Sequence, residues 1–119
     1  MKVSFIIIFL CINFLYANKA DVLSAKVHCN SYRTCNFDVT VKHHDKGWKH
    51  FANAYEILSP TREILDIRVL AHPHVNEQPF TRSIFGVKIP KGINSIIIRA
   101  RDSLHGYGGK EIILELFKQ

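Results

Sequence analysis

Phe37-Asp38-Val39-Thr40-Val41-Lys42 alternates apolar and polar residues one for one, and Leu65-Asp66-Ile67-Arg68-Val69 repeats the pattern. Extended backbone sends successive side chains to opposite faces, so each stretch predicts a strand with one face buried and one in water. Apolar or β-branched runs of strand length flank them at Val22 to His28, Phe51 to Leu58, Phe80 to Ile89, Ser95 to Asp102 and Glu111 to Phe117. No stretch carries a sustained 3.6-residue apolar period with caps. The nearest candidate, Lys49 to Leu58, has good helix formers in Ala52, Ala54, Glu56 and Leu58, but Phe51, Tyr55, Ile57 and the following Ser-Pro favour a strand. The expectation is an all-β fold, an immunoglobulin/fibronectin-III-like β-sandwich of about seven antiparallel strands.

Turn chemistry separates the runs. Ser59-Pro60-Thr61-Arg62 and Pro90-Lys91-Gly92-Ile93-Asn94 are short breaks, and Asn30 to Thr34 lies between Cys29 and Cys35. The other three connections are longer: Lys42 to His50, Ala71 to Pro79 and Ser103 to Lys110. In an antiparallel sandwich successive connections alternate between its two ends, so the short turns gather at one pole and the long loops at the other. Every histidine but His28 sits in the long loops: His43, His44, His50, His72, His74 and His105.

The chain opens on Lys2, an apolar run from Phe5 to Tyr16 broken by Asn13, and Ala17-Asn18-Lys19-Ala20, the order of a secretory signal peptide. That run falls short of the roughly 20 residues that span a bilayer, so removal rather than anchoring is expected. Cleavage after Ala17 or Ala20 leaves Leu15 or Asn18 at the minus-three position, which keeps both sites open. Leu10 stands before Cys11, where a lipobox wants a small residue, so lipid attachment is not expected. Residues 21–119 then form a single sandwich domain, periplasmic or secreted, without a stable membrane anchor.

Removing residues 1–20 takes Lys2 and Lys19 and no acid, so the net charge falls from +6 to +4. The basic residues are scattered singly, without the runs or interleaved aromatics of a nucleic-acid surface, and export argues against that partner as well. In an oxidising compartment Cys29 and Cys35 are expected to pair. So short a loop contributes about 2 kcal/mol in the chain-entropy account, enough to trim a turn but not to hold a fold.

Imidazole is the commonest protein ligand for zinc and copper, and a site needs three or four donors converging from different segments. His72 and His74 flank Pro73, which biases His72 toward extended backbone, so both rings would face one side with backbones about 7 Å apart. Glu77 could ligate or orient an imidazole. His105, among glycines that permit close backbone approach, and His50 or His43 would complete a copper or zinc set. The same loops also have a structural use: Trp48, Tyr107 and Phe80 are available for ring stacking, and Asp45 and Asp102 for capping turns. The alternative is a metal-independent recognition module of the cell envelope for a protein or saccharide, with Trp48, Tyr107 and Arg82 at the binding surface.

No catalytic residue is assigned. Two residues rather than three or four separate His74 from Glu77, which departs from the cupin metal pattern. Asp102, Ser103 and His105 are too close in sequence to adopt triad geometry, and no Gly-x-Ser-x-Gly elbow is present. Gly106-Tyr107-Gly108-Gly109 lacks the Lys-Ser/Thr of a phosphate loop.

The segments DVTVKHHDKGWKHFANAYEIL (38–58), RVLAHPHVNEQPFTRSI (68–84) and IRARDSLHGYGGKEI (98–112) resemble a family of small exported bacterial proteins of uncharacterised function. The string His-Pro-His-Val-x-Glu-Gln-Pro-Phe-Thr-Arg, at residues 72–82, is the most specific part of that resemblance. It implies a cell-envelope setting and no ligand or activity.

Overall fold

The computed structural model describes residues 19–117. The leader expected over residues 1–20 lies outside the described residues apart from Lys19 and Ala20, and so does Cys11. Seven strands form: β1 (Asp21–Cys29), β2 (Thr34–Lys42), β3 (Ala52–Leu58), β4 (Ile64–Val69), β5 (Phe80–Lys88), β6 (Ser95–Asp102) and β7 (Ile112–Glu115). They make a three-stranded sheet ordered β1-β2-β5 and a four-stranded sheet ordered β4-β3-β6-β7, with every pairing antiparallel. This is the expected β-sandwich. β4 pairs with β3, giving the three-on-four, fibronectin-III-like version rather than the four-on-three constant immunoglobulin arrangement.

The core follows the alternation. Phe37, Val39 and Val41 of β2 are fully buried, whereas Asp38 between them and Lys42 after them are exposed and Thr40 is half-buried. They pack against Tyr55 and Ile57 of β3 and Ile96, Ile98 and Ala100 of β6. Each large buried side chain of this kind contributes roughly 1.5–3 kcal/mol by leaving water. Tyr55 needs a partner for its hydroxyl, which donates to the carbonyl of Arg82 at 2.8 Å and so ties the two sheets together.

One irregularity is explained by its glycine. Cys35 faces Val87 and Phe37 faces Ile84, so an extra residue bulges from β5. Gly86 takes a positive φ of 68° there and donates its N–H to Asn36 Oδ1 at 2.9 Å, and Phe85 is turned out to solvent.

The Cys29–Cys35 disulfide closes the first turn. Arg33 follows within that turn and reaches across the pole: its guanidinium donates to the carbonyls of Ile89, Pro90 and Ile93 and lies over the ring of Phe117. The short-turn pole is therefore knit together, and the last described residues lie on it. The first described residues lie on the opposite pole. Lys110 N–H donates to Asp21 Oδ1 at 2.7 Å, and a Cβ on Gly109 would sit 1.9 Å from the carbonyl oxygen of Ala20, so this close approach requires glycine. The chain enters at the histidine pole and leaves at the disulfide pole.

Candidate metal centre

The three long loops meet at one pole, as the parity of connections requires. In the β2–β3 loop, Gly47 at a φ of 116° turns the chain back so that Lys46 N–H donates to the His50 carbonyl at 2.9 Å. This returns His50 to face His43, with ring centroids 4.7 Å apart. The loop is fastened to the start of the β6–β7 loop by two hydrogen bonds, Ser103 N–H to the Phe51 carbonyl at 2.8 Å and Phe51 N–H to the Ser103 side-chain Oγ at 3.1 Å.

Asp102 ends β6 in the same phase as Ile96, Ile98 and Ala100, so the strand delivers its carboxylate to the interior. Oδ1 caps the following turn by accepting from the N–H groups of Leu104 and His105, at 2.9 and 2.5 Å. Oδ2 is buried with no hydrogen-bond partner among the described residues, and the same holds for His50 Nε2. His43 Nε2 lies 3.7 Å from Asp102 Oδ2, and His50 Nε2 lies 3.6 Å from Asp102 Oδ1. One donor atom from each of His43, His50 and Asp102 lies within 4.8 Å of the other two. His105 stands at the rim, its Nδ1 3.5 Å from Asp102 Oδ1 and its ring 4.9 Å from that of His50.

Asp45 stands behind this cluster. Its Oδ1 receives the Nδ1–H of His43 at 2.7 Å, which turns the ring so that Nε2 faces Asp102. A carboxylate holding the outer nitrogen of an imidazole is the arrangement that orients metal-ligating histidines. Burial is the main reason that the His50 pKa is lowered, with the neighbouring His43 adding to it, so the ring favours its neutral form. Neutral imidazoles and an ionised carboxylate are the protonation states that ligate zinc or copper.

The remaining predicted residues form a second group. His74 is buried and stacks on Phe80 at 4.0 Å between centroids. Arg82 donates to His74 Nε2 at 2.9 Å and to Glu77 Oε1 at 3.1 Å. A guanidinium can only donate, so His74 Nε2 carries the lone pair, and a proton on Nδ1 has no partner among the described residues. The His74 pKa is lowered by burial first and by Arg82 second. The rings of His72 and His74 do approach, at 4.6 Å, but the Arg82 guanidinium already engages His74 Nε2 and Glu77 Oε1.

The residues named for a recognition surface each have partners of their own. Trp48 is exposed, with its ring edge-on to Phe51. Tyr107 donates to Glu56 Oε2 at 2.6 Å beneath the guanidinium of Arg99, and Arg82 is committed to His74 and Glu77.

No family model matches the chain, and no solved structure matches it. A protein of Halomicrobium mukohataei described as "Putative lipoprotein" is 30% identical over 97 residues, covering 82% of this chain and 47% of its own length. The chain thus spans about half the length of that relative. Its description names no activity, in keeping with the uncharacterised family that the His-Pro-His string resembles.

Proposed function

We propose that this protein is an extracytoplasmic binder of a divalent transition-metal ion, Zn²⁺ or Cu²⁺, held by His43, His50 and Asp102 with His105 as a neighbouring fourth donor. One observation carries the reading: His50 Nε2 and Asp102 Oδ2 are buried without hydrogen-bond partners among the described residues, in a cluster with His43. Buried polar atoms without a partner are costly, and a cation bound between a neutral imidazole nitrogen and a carboxylate oxygen removes the cost. Tetrahedral zinc sets its ligand atoms about 3.3 Å apart, from bonds of about 2.0–2.2 Å, so the present spacing needs modest side-chain contraction. The disulfide and the relative described as a lipoprotein support a setting outside the cytoplasm. His72, His74 and Glu77 have no part in this version of the site: Arg82 occupies His74 Nε2 and Glu77 Oε1, and His72 Nδ1 lies against the Pro73 carbonyl.

Calorimetric titration of the protein with Zn²⁺ and with Cu²⁺ at neutral pH tests it. Binding is expected to weaken at least tenfold in His50→Ala and in Asp102→Asn, and to survive His72→Ala. Asp102→Asn keeps the turn cap at Oδ1, so its loss of binding reports the ligand and not the fold. Absence of binding heat for both ions, or unchanged binding in both loop variants, rejects the reading.

A further inference from the structure

The pole that carries the histidines also carries exposed apolar side chains, one on each loop. Trp48 is 71% exposed, Leu104 64% and Val75 54%. Isolated exposed apolar residues are ordinary, but three at the tips of three adjoining loops form a crown. The same loops carry lysines: Lys42, Lys46, Lys49 and Lys110 are all exposed. Asp45 and Asp102 at this pole are buried, Glu77 is paired with Arg82 and Asp21 accepts from the Lys110 N–H, so no ion pair among the described residues engages the four lysine ammoniums. The crown therefore presents tryptophan and aliphatic tips together with exposed positive charges on the same loops.

The entry of the chain sets a direction for this surface. Lys19 Nζ donates to the His105 carbonyl at 3.2 Å, and Ala20 is buried beside Gly109, so the first described residues are fastened to the β6–β7 loop. Ala17 and Asn18 alone separate Lys19 from the apolar run Phe5 to Tyr16. Until its expected removal, that leader joins the domain at the crowned pole. The disulfide pole is turned the other way.

We propose that the histidine-loop pole docks on an anionic phospholipid bilayer. Trp48, Leu104 and Val75 enter the boundary between headgroups and acyl chains, where an indole ring is at home, and the four lysines face lipid phosphates. This does not depend on the metal site, since none of these residues belongs to it.

Trp48 is the one tryptophan in the sequence, so its fluorescence reports the crown alone. The full chain is reconstituted, with a chelator present, in vesicles of phosphatidylcholine with or without phosphatidylglycerol, and Trp48 is quenched from the lipid side by brominated lipid and from the water side by iodide. With phosphatidylglycerol, brominated lipid is expected to quench Trp48 and iodide to be excluded. The exposed-site variant Lys46→Gln/Lys49→Gln is expected to lower the ratio of docked to undocked domain roughly 30-fold, from about 1 kcal/mol per lysine near an anionic surface. Three results overturn the proposal: Trp48 that stays open to iodide on anionic vesicles, lipid quenching that is the same in pure phosphatidylcholine and in the lysine variant, and protection of Trp48 that rises with protein concentration in the absence of lipid, which assigns the crown to a second copy.

Discussion

Asp45 Oδ2 accepts the main-chain N–H of His74 at 2.7 Å, so a side chain of the β2–β3 loop fixes the backbone of the β4–β5 loop. Its other oxygen accepts from His43 Nδ1 at 2.7 Å and from the N–H of Ala52 at 3.1 Å. One buried carboxylate thus orders two of the three loops and orients an imidazole of the third-party cluster between β2, β3 and β6.

Replacing Asp45 with Ala should therefore cost about 3–5 kcal/mol, because it strips buried donors of their shared acceptor. Urea denaturation should show a lower midpoint with an unchanged slope. If Zn²⁺ binds as proposed, its affinity should also fall, by about 10–100-fold, in a variant that has not touched a ligand. A midpoint within experimental error of the parent protein would show that the carboxylate does not organise the loops.

Histidines that are buried neutral make stability depend on pH. The pKa values of His50 and His74 are both lowered from 6.5 in the folded protein, so below that pH the unfolded chain takes up protons that the folded chain resists. Their contribution is complete above pH 6.5 and is lost as the pH falls from there toward the folded values. Thermal melts with a chelator present should show a midpoint that rises between pH 5 and pH 7. Asp45 and Glu77 oppose the shift at His74, and Arg82 and His72 reinforce it, so Arg82→Gln should flatten the rise. A profile of the same steepness in Arg82→Gln would remove that guanidinium from the account.

The disulfide joins residues six apart in sequence. Cys29→Ala with Cys35→Ala should lower stability by about 2 kcal/mol, the loop-closure contribution of so short a ring, and leave both sheets formed. Chemical denaturation measures the loss, and the far-ultraviolet circular dichroism should keep its strand signature. A collapse to an unfolded chain would mean that the bridge holds more than its turn. Arg33, whose guanidinium clamps the same pole from three carbonyls, is the reason to expect otherwise.

Much of the fold was legible because its signals are local. The alternation at Phe37 to Val41 located β2, and the Ser59 and Pro90 turns set the parity that sent the long loops to one pole. The segment Lys49 to Leu58, despite its helix formers, ends as strand β3, since Tyr55 and Ile57 fill the core on one face. Asp102 was expected only as a turn cap; its phase with Ile96, Ile98 and Ala100, which makes it a buried carboxylate beside the histidines, was a signal left unread. Which imidazoles would meet was not legible. That depends on Gly47 reversing the loop to return His50 to His43, and on strand β5 carrying Arg82 to His74 Nε2. Both are long-range or conformational facts that residue type and spacing do not encode.

The opposite exits of the chain also govern how the protein can be handled. An affinity tag, a surface tether or a fused reporter placed after β7 leaves from the clamped Arg33 pole and keeps the loop crown unobstructed. The same appendage placed just before Asp21 would sit against His105 and Gly109, over the imidazoles it was meant to leave alone.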